Sequence, residues 1–305
     1  MTSGPSPEDR DRVVDAVQGA MTVEFASGRD GKPQTFPLTP FWDERRGRVV
    51  VTSPPAYAGK VEDAKENPHV AFLVDRGEGA DELLVRGEAT VYDTDHTANR
   101  RYVRRLIDDQ PDGFKKDTFQ SSNAFIRSPL GWLLLGWYSL RVVVAVEPTA
   151  VETVDRPGPP SVDAWSDVGM DAGEAASYDR AVFTAMNGDG WPASRPVAEV
   201  AVEGGNEGEQ AVRLAMPDPP AIEEGQPTCL LLHWHSDDIG DLGQRLVRGR
   251  ASPIEGEDAV RFIAGSSFSM RNETAFDALE FILEGKRRTM DYFDADGGPL
   301  DWVRY

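Results

Sequence analysis

The sequence predicts a mainly β protein with peripheral helices, an α+β fold in which one barrel follows another. Three observations lead there. Leu84-Val85-Arg86-Gly87-Glu88-Ala89-Thr90 returns as Leu246-Val247-Arg248-Gly249-Arg250-Ala251-Ser252. The turn Asp30-Gly31-Lys32-Pro33 returns as Asp189-Gly190-Trp191-Pro192, and the intervals from turn to motif, 54 and 57 residues, differ by three. Between these landmarks lie many short Val/Thr/Phe-rich runs and only isolated helical stretches, which suits a barrel and not a doubly wound sheet. Two repeated segments in one order at one spacing mark a tandem duplication, so the seam between the halves is the first place to look for a site.

The first half opens with a helix over Ser6 to Ala20, with Ser6 as N-cap and Pro7 at the first helical position. Strands follow over Met21–Ala26, Gln34–Phe41, Arg48–Ser53, Val70–Val74 and Leu83–Tyr92. Between the third and fourth, Pro54 to Glu66 carries Ala58, Val61 and Ala64 at helical spacing and stops at Asn67-Pro68. A helix over Thr97–Asp108 and a strand over Leu140–Val146 complete the half. Asp155-Arg156-Pro157-Gly158-Pro159-Pro160-Ser161 continues neither kind of element and reads as a linker, dividing the chain into 1–155 and 156–305.

The second half repeats the strands over Ala181–Met186, Ala193–Val202, Val212–Met216, Thr228–Trp234 and Leu246–Ser252. Asp218 to Pro227 matches the first half's inner helix in position, but it is shorter, Pro-rich and lacks a lysine. A terminal helix over Glu273 to Tyr292, ending at Gly297-Gly298, sets Phe276, Leu279, Ile282 and Leu283 on one face.

The net charge is −20, and 6 lysines stand against 26 arginines. An acidic, Lys-poor chain suits a halophile's cytoplasmic protein, because concentrated salt screens the self-repulsion. The charge argues against nucleic acid or an anionic membrane as a partner. The single cysteine, Cys229, excludes an internal disulfide and sits in an apolar run that reads as a buried strand. The N-terminus has no apolar signal core, and the greasiest stretch, Pro129 to Leu140, is too short to span a bilayer. It reads as a packed connection or an interface.

Hydroxyls at a strand end and a cation one helical turn into the next element can hold a phosphate together. Thr52 and Ser53 would donate hydrogen bonds and Lys60 would supply charge, helped by backbone N–H groups at the helix start. A solvated surface lysine is the competing reading. The ordered set of turn, Arg48–Ser53 strand, Lys60 helix, Asn67-Pro68-His69 and Leu-Val-Arg-Gly resembles the pyridoxamine-5'-phosphate-oxidase-like, FMN-binding split-barrel superfamily. The resemblance spans about residues 20–155, with a degraded copy over 178–255. It implies two tandem split β-barrels forming an internal pseudo-dimer, in a monomer or a homodimer, with FMN between the halves. It also implies that Thr39, on the second strand, and Arg48 line the cofactor site with Thr52, Ser53 and Lys60.

The chain departs from that pattern in three places. Gly59 stands beside Lys60 where a basic residue is common, and Glu82 stands where Gln is common, an acid unfavourable near a phosphate. No basic C-terminal motif is present. The expected activity is therefore a flavin-dependent oxidoreductase acting on a small molecule other than a vitamin B6 phosphate, with F420 as an alternative cofactor. No residue identifies itself as an essential acid or base.

His233-Trp234-His235 is a second constellation. On a strand both histidines share a face, so they could meet a metal or act as haem ligands in a protein without turnover. They could equally bond nearby carboxylates such as Asp237 and Asp238. A cofactor-free protein using Trp132 to Tyr138 for assembly is a further possibility. No Gly-x-Gly-x-x-Gly, P-loop or Gly-x-Ser-x-Gly is present. The acidic run Glu203–Glu209 reads as a solvated loop, and the arginine clusters at 100–105 and 286–288 read as partners for the chain's own carboxylates.

Overall fold

The computed structural model describes residues 4–77, 80–203, 210–237, 240–272 and 274–295. Helix α1 (Pro7–Gly19) begins as its sequence predicts, the Asp9 N–H donating to Ser6 Oγ at 3.1 Å. The first sheet then forms from β1 (Val23–Arg29), β2 (Lys32–Leu38), β3 (Pro40–Asp43), β4 (Arg48–Ser53), β5 (His69–Val74), β6 (Glu82–Tyr92) and β7 (Val142–Val154). The second comprises β8 (Ser161–Val162), β9 (Arg180–Met186), β10 (Pro192–Pro196), β11 (Glu199–Val202), β12 (Ala211–Ala215), β13 (Gln226–His235), β14 (Leu242–Pro253) and β15 (Ala259–Asn272). Their orders are β2-β1-β5-β6-β7-β4-β3 and β10-β9-β13-β14-β15-β12-β11-β8. Without β8 the two orders coincide strand for strand: two tandem split β-barrels. Each curls around its own apolar core, one holding Phe25, Trp42 and Phe72, the other Trp165, Phe183 and Phe262.

Register makes the correspondence exact at the residue level. Thr35, Ala26, Ala71 and Arg86 stand in one row across four strands. Ser194, Thr184, Cys229 and Arg248 form the matching row. The repeated Leu-Val-Arg-Gly has a physical cause: the ladder slips at Arg86/Gly87 against β7 and again at Arg248/Gly249 against β15. A Cβ on Gly87 would meet the Glu147 carbonyl oxygen, and one on Gly249 that of Ile263. Each bulge therefore demands glycine.

The halves pack through β1, β2 and β5 against β9, β10 and β13. Thr35 and Thr184 hydroxyls meet at 2.8 Å. Asn67 Nδ2 donates to the carbonyls of Gly28 and Gly190, both at 3.0 Å, and so ties the end of β1 to the second repeated turn. His69 stacks on Trp191 with ring centres 4.0 Å apart. Ala26, Ala71 and Leu73 pack against Val182, and Phe36 against Cys229, Leu231 and Leu246. This is the internal pseudo-dimer.

Helix α2 (Gly59–Glu66) follows a 3-10 turn over Pro55–Tyr57, splitting the single helix predicted there. Helix α3 (His96–Asp108) is as predicted, whereas α4 (Phe114–Arg127) was not, its polar Lys/Gln/Ser-rich sequence hiding the period. The greasy stretch becomes α5 (Pro129–Leu135) and a 3-10 turn, with Trp137 fully buried and Leu130 and Leu133 exposed. Short α6 (Ala172–Ala175) precedes β9.

Asp218 to Pro227, the Pro-rich counterpart of α2, forms no helix, because Pro219 and Pro220 remove amide donors and push their predecessors out of the helical region. One expectation needs correction. In α7 (Ala275–Ala295) the predicted apolar face is not the packed one. Phe276, Leu279 and Leu283 are exposed, while Phe281 stacks on Tyr57 and Gly285 abuts the Trp137 ring so closely that no Cβ fits. Gly297-Gly298, Asp238 and residues 204–209 of the acidic run lie outside the described residues. No helix among the described residues is long and apolar enough to cross a membrane.

Candidate functional site

Lys60 lies in the first turn of α2, its side chain partly buried. Its ammonium lies 5.1 Å from the Phe36 ring centre and 5.6 Å from that of Tyr57. Among the described residues it meets neither a carboxylate nor a hydrogen-bond acceptor. Burial lowers its pKa from 10.5 to about 8, with no counter-charge to offset the desolvation. A cation held in that state is short of an anion.

The second half supplies another. Arg248, in the repeated motif on β14, donates to Gln34 Oε1 at 3.4 Å, and Gln34 Nε2 donates to the Gly59 carbonyl at 2.9 Å. The amide thus links Arg248 to the start of the Lys60 helix. No described carboxylate lies within 4 Å of Arg248. Asp63 on α2 feels its charge but pairs with Arg29 at 3.8 Å. Phe36 and Tyr57 thus flank the Lys60 ammonium, and Gln34 bridges from Arg248 of the second half to Gly59, the residue before Lys60. Sequence reasoning missed Arg248 as a site residue, although its signal was the repeated motif itself.

The remaining candidates divide. Thr52 lies partly buried at the end of β4, next to Ser53. Adjacent residues on a strand face opposite sides, so the two hydroxyls do not act as a pair. Ser53 is buried, and its Oγ donates to the Tyr57 carbonyl at 2.9 Å, so its proton is committed to the 3-10 turn and not to a ligand. The amides of Tyr57, Ala58, Val61 and Glu62 are likewise taken by Pro54, Pro55 and Ala58 carbonyls. Thr39 is not on the second strand; it is the partly buried joint between β2 and β3.

Arg48 is removed from the site altogether. It begins β4, about 16 Å from Ser53 at roughly 3.3 Å per residue. There it donates to the Tyr102 hydroxyl at 3.2 Å and lies 3.9 Å from Asp43. Glu82, expected to disturb a phosphate, is instead fully buried against Arg180, whose Nη2 donates to it at 2.9 Å.

The histidines are also accounted for. His233 Nε2 lies 3.0 Å from Glu24, not beside Asp237, and His235 is held at Nε2 by Thr22 (2.8 Å) and at Nδ1 by the Ser236 carbonyl (2.9 Å). They share a face, as alternation requires, at 6.2 Å between ring centres, but Glu24 and Thr22 of the first half and the Ser236 carbonyl engage three of the four ring nitrogens, which leaves His233 Nδ1 alone and no pair for haem. No cluster of metal-ligating side chains exists among the described residues. Glu24 is buried; burial alone would raise its pKa, yet Arg180 at 3.2 Å and the His233 bond hold it down at about 2. An open cavity of about 400 Å³ lies beside this network, lined by Thr22, Asp75, Phe114, His235 and Asp237 and remote in sequence from Lys60. Cys229 is an inert core thiol, its pKa pushed by burial to about 11. Arg105, Arg287 and Arg288 pair with Asp43, Asp109, Glu284 and Asp291, as expected of surface arginines.

No family model and no curated protein matches the chain. Among solved structures it is similar to the general stress protein 26 of Bacillus anthracis str. Sterne, with 17% identity and a TM-score of 0.30 over 49% of this chain and 99% of that one. It is similar to a pyridoxamine 5'-phosphate oxidase-related, FMN-binding protein of Nostoc punctiforme, with 9% identity and a TM-score of 0.34 over 65% and 98%. It is similar too to an F420 reductase, with 23% identity and a TM-score of 0.29 over 45% and 93%. Likenesses at these scores carry no argument about function.

Proposed function

We propose that the chain binds one flavin-type cofactor through its phosphate at the Lys60 corner and serves as an oxidoreductase on a small molecule. The observation that carries the proposal is the Gln34 bridge between Arg248 of the second half and Gly59 beside Lys60 of the first, with no described carboxylate within 4 Å of either cation. A phosphate dianion supplies the missing charge, and charge-assisted hydrogen bonds from both are the strong kind. Phe36 and Tyr57 exclude water from the ammonium and strengthen its attraction to the anion. Gln34 holds Arg248 in register with α2.

When bound, the flavin supplies the redox chemistry, and the protein's part is binding, orientation and water exclusion. The division into halves at 155/156 is supported by β7 ending at Val154 and β8 beginning at Ser161. The resemblance over residues 20–155 favours FMN, with F420 as the alternative. Titration of the purified protein with FMN and with F420, followed by the visible spectrum, tests the reading. A perturbed spectrum weakened by Lys60→Met supports it and selects the cofactor; identical binding by the variant removes Lys60 from the site.

A further inference from the structure

The matching strand rows place Arg86 where Arg248 stands, and Arg195 where Phe36 stands, one residue beyond Ser194 and Thr35 respectively. The second half therefore has its own two-cation corner at the seam, again with one cation from each half. Its environment is different. Glu152 on β7 spans the pair, its Oε2 accepting from Arg86 Nη2 at 3.0 Å and its Oε1 from Arg195 Nη2 at 2.6 Å. Arg195 Nε also donates to the Asp218 carbonyl at 2.9 Å, and its Nη2 lies 3.4 Å from the Asp218 carboxylate.

We infer that the chain holds two pseudo-equivalent phosphate-binding corners, and that Glu152 closes the second by standing where the ligand's anion stands in the first. The register explains why only one is closed. Glu152 pairs with Leu84, and the residue pairing with Leu246, the counterpart of Leu84, is Phe268. The open corner thus has a phenyl where the closed one has a carboxylate. The two corners differ in charge as well: Arg86 and Arg195 are balanced by Glu152 and Asp218, whereas no described carboxylate lies within 4 Å of Lys60 or Arg248. Asp218, held in the left-handed region at φ 47°, opens the segment that replaces α2, so the helix that carries Lys60 has an acid in its stead. A ligand phosphate at the second corner would have to displace a carboxylate already making two charge-assisted hydrogen bonds. The inference rests on the proposed phosphate site and predicts one cofactor per chain, not the two that a repeated fold would suggest.

Equilibrium dialysis against FMN, with riboflavin as the phosphate-free control, tests it on the wild-type chain, Glu152→Gln and Glu152→Ala. The expected result is one FMN per wild-type chain and two per Glu152→Ala chain. Glu152→Gln should be intermediate, and the second site should be lost again in Glu152→Ala/Arg86→Met. Retained binding at the Lys60 corner shows that each variant is folded. Two FMN per wild-type chain, or one in every variant, overturns the closure. No binding by wild type but one site in Glu152→Ala upholds the closure and removes the Lys60 reading. No binding by any variant removes both.

Discussion

Replacing Lys60 with Met should stabilise the ligand-free protein while weakening its hold on FMN, an opposition of signs that a surface lysine would not show. Burial holds the Lys60 pKa at about 8 instead of 10.5, which at roughly 1.4 kcal/mol per pH unit makes the charged form cost the fold about 3 kcal/mol. Below pH 8 folded and unfolded chains both carry the proton, so the whole cost is present. Between pH 8 and 10.5 only the unfolded chain carries it and the cost fades; above 10.5 it is gone. Removing the charge at pH 7 therefore stabilises by up to about 3 kcal/mol. Residual solvent contact reduces this, and the melting temperature rises by a few degrees, at roughly 2–4 °C per kcal/mol for 150–250 residues and less for a longer cooperative unit.

The ligand responds in the other direction. A hydrogen bond to a charged group contributes roughly 1.5–3 kcal/mol, so the variant should bind FMN roughly 10- to 150-fold more weakly at pH 7. Wild-type affinity should fall about fivefold between pH 8 and 9 as Lys60, with its pKa of about 8, loses its proton, while the variant's stays level. Calorimetry without ligand and FMN fluorescence titrations at pH 7, 8 and 9 give both quantities. A variant less stable than wild type, or one with unaltered FMN affinity, would refute the reasoning.

Three more expectations concern the fold. Gly249→Ala forces a Cβ against the Ile263 carbonyl at the bulge and should destabilise by about 2 kcal/mol or more; a denaturation midpoint equal to wild type would show that the bulge tolerates a side chain. Glu24→Gln removes a buried partner of Arg180 and His233 and should cost about 3 kcal/mol at pH 7, the lower end for a broken buried pair because Arg180 keeps Glu82. Because the Glu24 pKa is depressed from 4.5 to about 2, its stabilisation is full above pH 4.5 and is lost as pH falls toward 2. Acid titration of the variant should therefore be flatter over that window, and an unchanged acid limb would contradict the assignment. With a net charge of −20, the unfolding midpoint should rise between about 0.1 and 2 M KCl as repulsion is screened; greatest stability at low salt would end the halophilic reading.

The strands were legible because their local chemistry is strong: β4 is Arg48–Ser53 to the residue, and the Ser6 cap and α3 follow from capping and spacing alone. Helix α7 was legible as a helix but not in its orientation. Its spacing offers Phe276, Leu279 and Leu283 as the core stripe, and only the Trp137 ring, arriving from another element, selects the side bearing Gly285 and Phe281. Strand β15 (Ala259–Asn272) was missed altogether, because Gly265, Ser266, Ser267 and Ser269 break the apolar alternation, and over that stretch β14 holds the strand and not burial.

The site shows the same division. Lys60 could be chosen from the sequence because lysine is scarce and the strand–helix junction is local. By itself the sequence determined the repeat, the two halves, the strand series and the one lysine worth watching, all of which depend on neighbours a few residues apart. The tertiary structure decided that Arg48 lies far from Ser53, that the Ser53 proton is committed, that Gln34 links Arg248 to the start of the Lys60 helix and that Glu152 spans Arg86 and Arg195. Those outcomes depend on which charges from opposite halves come within hydrogen-bond reach, and no local pattern encodes a distance between residues nearly two hundred positions apart.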